Sequence, residues 1–189
     1  MKKIKISGIS QKAPFQKGFG KSGCHNSGCP DSCCRYGADF DKAAYDLVLK
    51  HRRLVEERSG KKIETCFEDE WSGETDFLGG DSVRSTVADD GYCCFHSPSG
   101  KGCVLYQLVF EKGLPKRLVP SVCRLYPLTW ADGVLTVYDE DGEDNIEPDC
   151  ACVDPKYPAQ SNILATQFSE ILDIFEICPS KTKTFDLPR

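Results

Sequence analysis

Cys24-His-Asn-Ser-Gly-Cys29-Pro-Asp-Ser-Cys33-Cys34 is answered further along the chain by Cys93-Cys94-Phe-His-Ser-Pro-Ser-Gly-Lys-Gly-Cys103. Both stretches place thiols a few residues apart and fill the gaps with Gly, Pro and Ser. Such spacers force turns, and turns let several sulfurs converge on one centre, where a metal keeps them deprotonated. Cys123 and the pair Cys150-x-Cys152 follow, and Cys66 and Cys178 stand alone, which brings the total to 12 cysteines in 189 residues. The spacing fits neither a zinc-finger ladder nor a ferredoxin ladder, so it argues for metal without naming the metal.

Where the thiols act is constrained by the remainder of the chain. The N-terminus is basic, but no continuous apolar segment follows it, so no signal peptide is expected. No run approaches the roughly 18 apolar residues of a membrane span. A cytoplasmic chain keeps its thiols reduced, which makes metal ligation the expectation and a disulfide scaffold the alternative for a secreted protein. The net charge of −5 and pI near 5.3 argue against nucleic acid as a partner, because phosphate binding needs an excess of Lys and Arg. A hydrophobic share of 40% is enough for a folded core.

The expected fold class is α+β: a small irregular single domain with two clear helices, short strands and cysteine-rich loops held by metal. Residues 1–23 read as a polar N-terminal arm, 24–178 as the metal-binding domain and 179–189 as a tail. Asp41 is a good N-cap, and Ala44, Leu47, Val48, His51, Leu54 and Val55 recur at helical spacing up to Gly60. Val104 to Phe110 fits helix or strand, and Arg84–Ala88 and Gly133–Tyr138 read as strands. A second helix is expected from near Ser161 to Pro179, burying Leu164, Phe168, Ile171, Leu172 and Phe175.

Adjacent cysteines in an extended chain point to opposite sides. Each pair therefore ligates through one member only, or serves a polynuclear site. Cys66 and Cys178 read as packing residues, His51 as a core histidine, and His25 and His96 as neighbours of the centre rather than its ligands.

Three segments carry a resemblance. Cys33-Cys34-Arg-Tyr-Gly-Ala-Asp-Phe40, Gly91-Tyr-Cys-Cys-Phe-His96 through Gly102-Cys-Val-Leu-Tyr106, and Pro120-Ser-Val-Cys-Arg-Leu-Tyr-Pro-Leu128 resemble the YkgJ-type cysteine-cluster family, described as zinc- or iron-chelating proteins. The resemblance implies Cys29, Cys33, Cys34, one of Cys93 and Cys94, Cys103 and Cys123 as ligands. Cys24 departs from the family's tighter front cluster, and Cys150 and Cys152 match only some relatives. The functional expectation is a metal-binding protein holding an iron–sulfur cluster (or zinc) in an electron-transfer or accessory role. The alternatives are a zinc-stabilised interaction module and a metalloenzyme with an open metal position.

Overall fold

The computed structural model describes residues 2–16, 31–137 and 162–178. In chain order these form β1 (Ile4–Ile6), β2 (Gly8–Ile9), β3 (Asp39–Asp41), α1 (Lys42–Lys50), α2 (Arg52–Ser59), β4 (Phe67–Trp71), β5 (Ser82–Ser85), α3 (Val104–Lys112), α4 (Ser121–Leu125), β6 (Leu128–Ala131), β7 (Val134–Val137), α5 (Ile163–Thr166), α6 (Phe168–Ile174) and β8 (Phe175–Ile177). The result is an α+β fold of small sheets and short helices, as the sequence implied.

Two apolar clusters organise it. In the first, the antiparallel sheet β3-β5-β4 packs with α1, α2 and α3 around Phe40, Val48, Val55, Phe95, Leu105 and Leu108. Phe40 meets Phe67 edge-on at 5.1 Å and Phe95 at 5.0 Å, which gives the sheet an aromatic floor. The second cluster gathers Ile6, Leu128, Trp130, Leu135, Ile174 and Phe175 between the sheet β2-β7-β6, the parallel pair β1-β8 and helix α6. The β6–β7 hairpin turns through Asp132 and Gly133, both at positive φ (51° and 73°), the conformation a tight Asp-Gly hairpin requires.

Helix α1 starts where the sequence placed it. Asp41 Oδ1 accepts from Ala44 N at 3.0 Å, and Gly60 ends α2 in the left-handed region. The single expected helix is two, because His51 leaves the helical conformation at φ −104°, ψ 18°. The apolar run from Val104 is helix α3, ended by Gly113 at φ 64°.

Two expectations are corrected. Within the expected polar arm, residues 2–16 take part in the fold: Ile4, Ile6 and Ala13 are buried, and β1 and β2 pair with β8 and β7. Alternating Ile-Lys-Ile is a half-buried strand pattern that the surrounding lysines obscured. The expected C-terminal helix is also shorter than its apolar residues suggested. It breaks at Gln167 and turns at Phe175 into β8, so Phe168 and Leu172 are exposed while Ile163, Ile171 and Ile174 are buried. Pairing with β1 outweighs helical propensity over Phe175–Ile177.

Helix α6 is tied to the turn before α4 by charge. Arg117 Nη2 donates to Asp173 Oδ1 at 2.6 Å, and Arg124 Nη2 donates to Asp173 Oδ2 at 2.7 Å. Chiefly through its bond to Arg117, this holds the Asp173 carboxyl at about 2, below its ordinary 3.8. A depressed carboxylate stabilises the fold above its unfolded pKa and loses that contribution as the pH falls through the folded value. Asp173→Asn is expected to cost on the order of 1 kcal/mol at neutral pH, after discounting for its partial exposure. In thermal melts, the gap in Tm between variant and wild type should close as the pH is lowered from about 4 toward 2.

Candidate functional site

The cysteine loops meet beside the first apolar cluster. Asp31 sits in the left-handed region at φ 60°, and residues Ser32–Cys34 form one 3-10 turn. The Cys33–Cys34 segment is therefore not extended. A 3-10 turn separates successive side chains by about 120°, less than the opposed arrangement of an extended strand. The expectation that adjacent cysteines point to opposite sides does not hold for this pair.

One carboxylate oxygen joins the first cysteine turn to the second. Asp31 Oδ2 accepts from Gly102 N at 2.7 Å and from His96 Nε2 at 3.0 Å. Tyr92 stacks on the His96 ring at 4.3 Å, and the Arg35 guanidinium lies over Tyr92 at 5.8 Å. The main chains also meet, with Cys93 N donating to Cys34 O at 2.6 Å. Gly37 allows this approach, since a Cβ there would lie 2.5 Å from Ser85 O. His96 is thus a buried support that aligns the two loops.

Cys103 occupies the N-cap position of α3, and Cys123 lies within α4. Tyr106 on α3 donates through its hydroxyl to Cys123 O at 3.3 Å, which ties the two helices together. Cys103 is half-buried and Cys123 exposed. Burial pushes the Cys103 thiol up to about 12, against the pull of the Tyr106 and Leu105 amides. The Cys34 thiol is also pushed up, first by its bond to Cys33, then by burial and by the charges of Cys33, Cys103 and Cys123. Cys33, Cys34, Cys103 and Cys123, an outer group drawn from three stretches, sit on segments that the Asp31 and Tyr106 bonds tie together.

The other pair divides. Cys93 Sγ lies 3.3 Å from Ser85 Oγ, which also accepts from Ala38 N at 2.8 Å. The Cys93 thiol is held down at about 6, first by its bond to Cys94. Cys94 turns inward, where its Sγ donates to Cys66 O at 3.2 Å. Cys66 and Cys94 are 0% and 2% exposed. Sequence reasoning left Cys66 as an isolated packing residue, and nothing in its spacing announces the contact with Cys94. Cys178 lies in the other half of the fold, its amide donating to Ile6 O at 2.8 Å.

Arg124 follows Cys123 in α4. Its side chain is 3% exposed and engaged by Glu170 and Asp173. Successive helical residues diverge by about 100°, so Arg124 points away from its neighbour Cys123 and fastens α4 to α6.

Among the described residues, no three or more His, Cys, Asp or Glu side chains form a ready metal site. Cys24, Cys29, Cys150 and Cys152, together with His25, lie outside the described residues. No helix of the described residues is long and apolar enough to cross a membrane. Comparison with protein-family models, with curated proteins and with solved structures returns no match. The likeness to the YkgJ-type family therefore rests on the motif residues alone.

The Asp31 bridge has a measurable consequence. Asp31→Ala leaves Gly102 N and His96 Nε2 without their acceptor, which should cost about 1–3 kcal/mol in denaturant unfolding. His96→Ala should add much less on top of Asp31→Ala than it costs alone, because the two share one hydrogen bond. Additive costs in the double-mutant cycle would refute the coupling.

Proposed function

We propose that this chain is a cysteine-rich metal-binding protein whose centre is built on Cys33, Cys34, Cys103 and Cys123, with Cys93 at its edge. The observation that supports the reading is the set of polar ties among the segments that carry these cysteines: Asp31 holds the 3-10 turn to Gly102 beside Cys103, and Tyr106 of α3 donates to Cys123 O in α4. Cys24, Cys29, Cys150 and Cys152 are the further candidate ligands from the sequence.

The donor set fits the group proposed. Nearly every candidate is a soft sulfur, which suits an iron–sulfur cluster, or zinc in an all-cysteine site, over metals that prefer oxygen. When bound, an iron–sulfur cluster would supply one-electron chemistry. The protein's part is to orient the sulfurs: Asp31 and His96 fix the first turn against Cys103, and Tyr106 fixes α4 against α3. Zinc serving to stabilise an interaction module is the second reading, favoured by the structural tie between loops that such a site supplies.

Anaerobic purification of untagged protein, with metal and labile-sulfide analysis, tests the proposal. Brown protein with bound iron and sulfide is expected. Colourless protein with stoichiometric zinc would move the reading to zinc, and metal well below one per chain would end it. Cys33→Ser, Cys103→Ser and Cys123→Ser should each lose most of the metal, because serine keeps the size but is a poor ligand for a soft centre. Cys178→Ser should retain it. Asp31→Asn should lower the affinity by about 10–100-fold with all thiols intact.

A further inference from the structure

We propose that Cys66 and Cys94 form a dithiol separate from the metal ligands, a site of reversible disulfide formation by small hydroperoxides. Both residues hang from Thr86. Thr86 N donates to Cys66 O at 3.1 Å, and Cys94 N donates to Thr86 O at 2.9 Å. The two cysteines therefore lie beside the same point of one extended segment, although they are 28 positions apart in sequence. Cys94 Sγ then turns onto Cys66, 3.2 Å from its carbonyl oxygen, while Cys66 Sγ donates to Lys62 O at 3.3 Å.

The choice of partner follows from this geometry. Cys93 is adjacent to Cys94, and closing a disulfide between sequence neighbours strains the bond away from its preferred dihedral. Cys93 is in addition engaged by Ser85 on the side where its main chain meets Cys34. Cys33, Cys34, Cys103 and Cys123 belong to the outer group. Among the described cysteines Cys66 is the one whose main chain Cys94 Sγ reaches, and it shares a buried cluster with Val83, Phe95 and Val104. An uncharged disulfide suits such surroundings. The exposed turn at Asp89 to Gly91, between Thr86 and Cys94, offers a short path for local opening.

The step balances. Cys66–SH and Cys94–SH react with ROOH to give the Cys66–Cys94 disulfide, ROH and water. The S–S bond forms, two S–H bonds and the O–O bond break, and two electrons pass from the sulfurs to the peroxide. The crosslink joins the corner before β4 to the loop that carries Cys93. It needs no metal, so it stands apart from the metal-binding reading.

The experiment exposes the full chain, as isolated under anaerobic conditions, to hydrogen peroxide. Free thiols are then alkylated and non-reduced peptides mapped by mass spectrometry, with metal content measured in parallel. The expected result is a Cys66–Cys94 linked peptide, lighter by two hydrogens than the reduced pair and restored by dithiothreitol. Cys66→Ala and Cys94→Ala should abolish it and retain the wild-type metal content. Both cysteines remaining alkylatable under denaturing conditions after peroxide would overturn the proposal, as would linkage of Cys94 to any other cysteine. Loss of metal from a folded Cys94→Ala protein would make Cys94 a ligand and equally overturn it. Wild-type mapping decides the matter even if a variant fails to fold. A wild type without metal that forms the crosslink would refute only the metal-binding reading.

Discussion

The arrangement of the cysteine-bearing elements follows from the burial of one carboxylate. Asp41 is 1% exposed. Its Oδ1 caps α1 at Ala44 N, and its Oδ2 accepts from Ser121 N, at the start of α4, at 2.8 Å. Burial alone pushes the Asp41 carboxyl up, and those amide bonds, with the nearby Arg124 charge, pull the other way. An uncompensated buried carboxylate costs several kcal/mol, so the fold holds this charge only while both helices begin at the same point. That requirement places α4, and with it Cys123, against the first apolar cluster. Arg124 and Arg117 then secure α4 and the turn before it to Glu170 and Asp173 on α6. Helix α4 has five residues and could not persist unaided, since isolated short helices are unstable in water.

The thiols are distributed by main-chain geometry more than by any affinity among sulfurs. A 3-10 turn keeps Cys33 and Cys34 together, while a local strand-like pairing sends Cys93 and Cys94 to different neighbours: Val87 opposes Cys93, and Cys94 N donates to Thr86 O. Two vicinal pairs that look alike in sequence thereby acquire unlike surroundings. One lies at the surface side near Cys103 and Cys123. The other straddles the boundary between that group and the buried Cys66. Ser85 stands at this boundary, bonding Ala38 N on one side and facing Cys93 on the other.

Much of this organisation is legible in the chain itself. The Asp41 cap, the Gly60 stop and the strand after Gly133 are local signals, and each is where the sequence placed it. The thiol clusters are local as well. What escaped notice depends on contacts distant in sequence. The second role of Asp41 joins residues 80 positions apart, and the hydrogen bond from Gly102 to Asp31 spans 71. An aspartate beside cysteines has no sequence mark that separates a tie from a solvated turn. Lysines around Ile4 and Ile6 hid a strand that becomes apparent only when β8 is beside it, and β8 in turn looked like the end of a helix.

On the metal-binding reading, these placements bear on nuclearity. A single zinc ion is satisfied by four thiolates. Cys33, Cys34, Cys103 and Cys123 already number four, and the sequence offers Cys29 and Cys24 just ahead of them. A donor set richer than one tetrahedral ion needs is better matched by a centre of several metal atoms, in which neighbouring sulfurs serve different atoms. The inward turn of Cys94 works in the same direction. It removes from the set the one thiol that could only reach the outer group by breaking its contact with Cys66, and leaves the surface-side sulfurs to serve the centre.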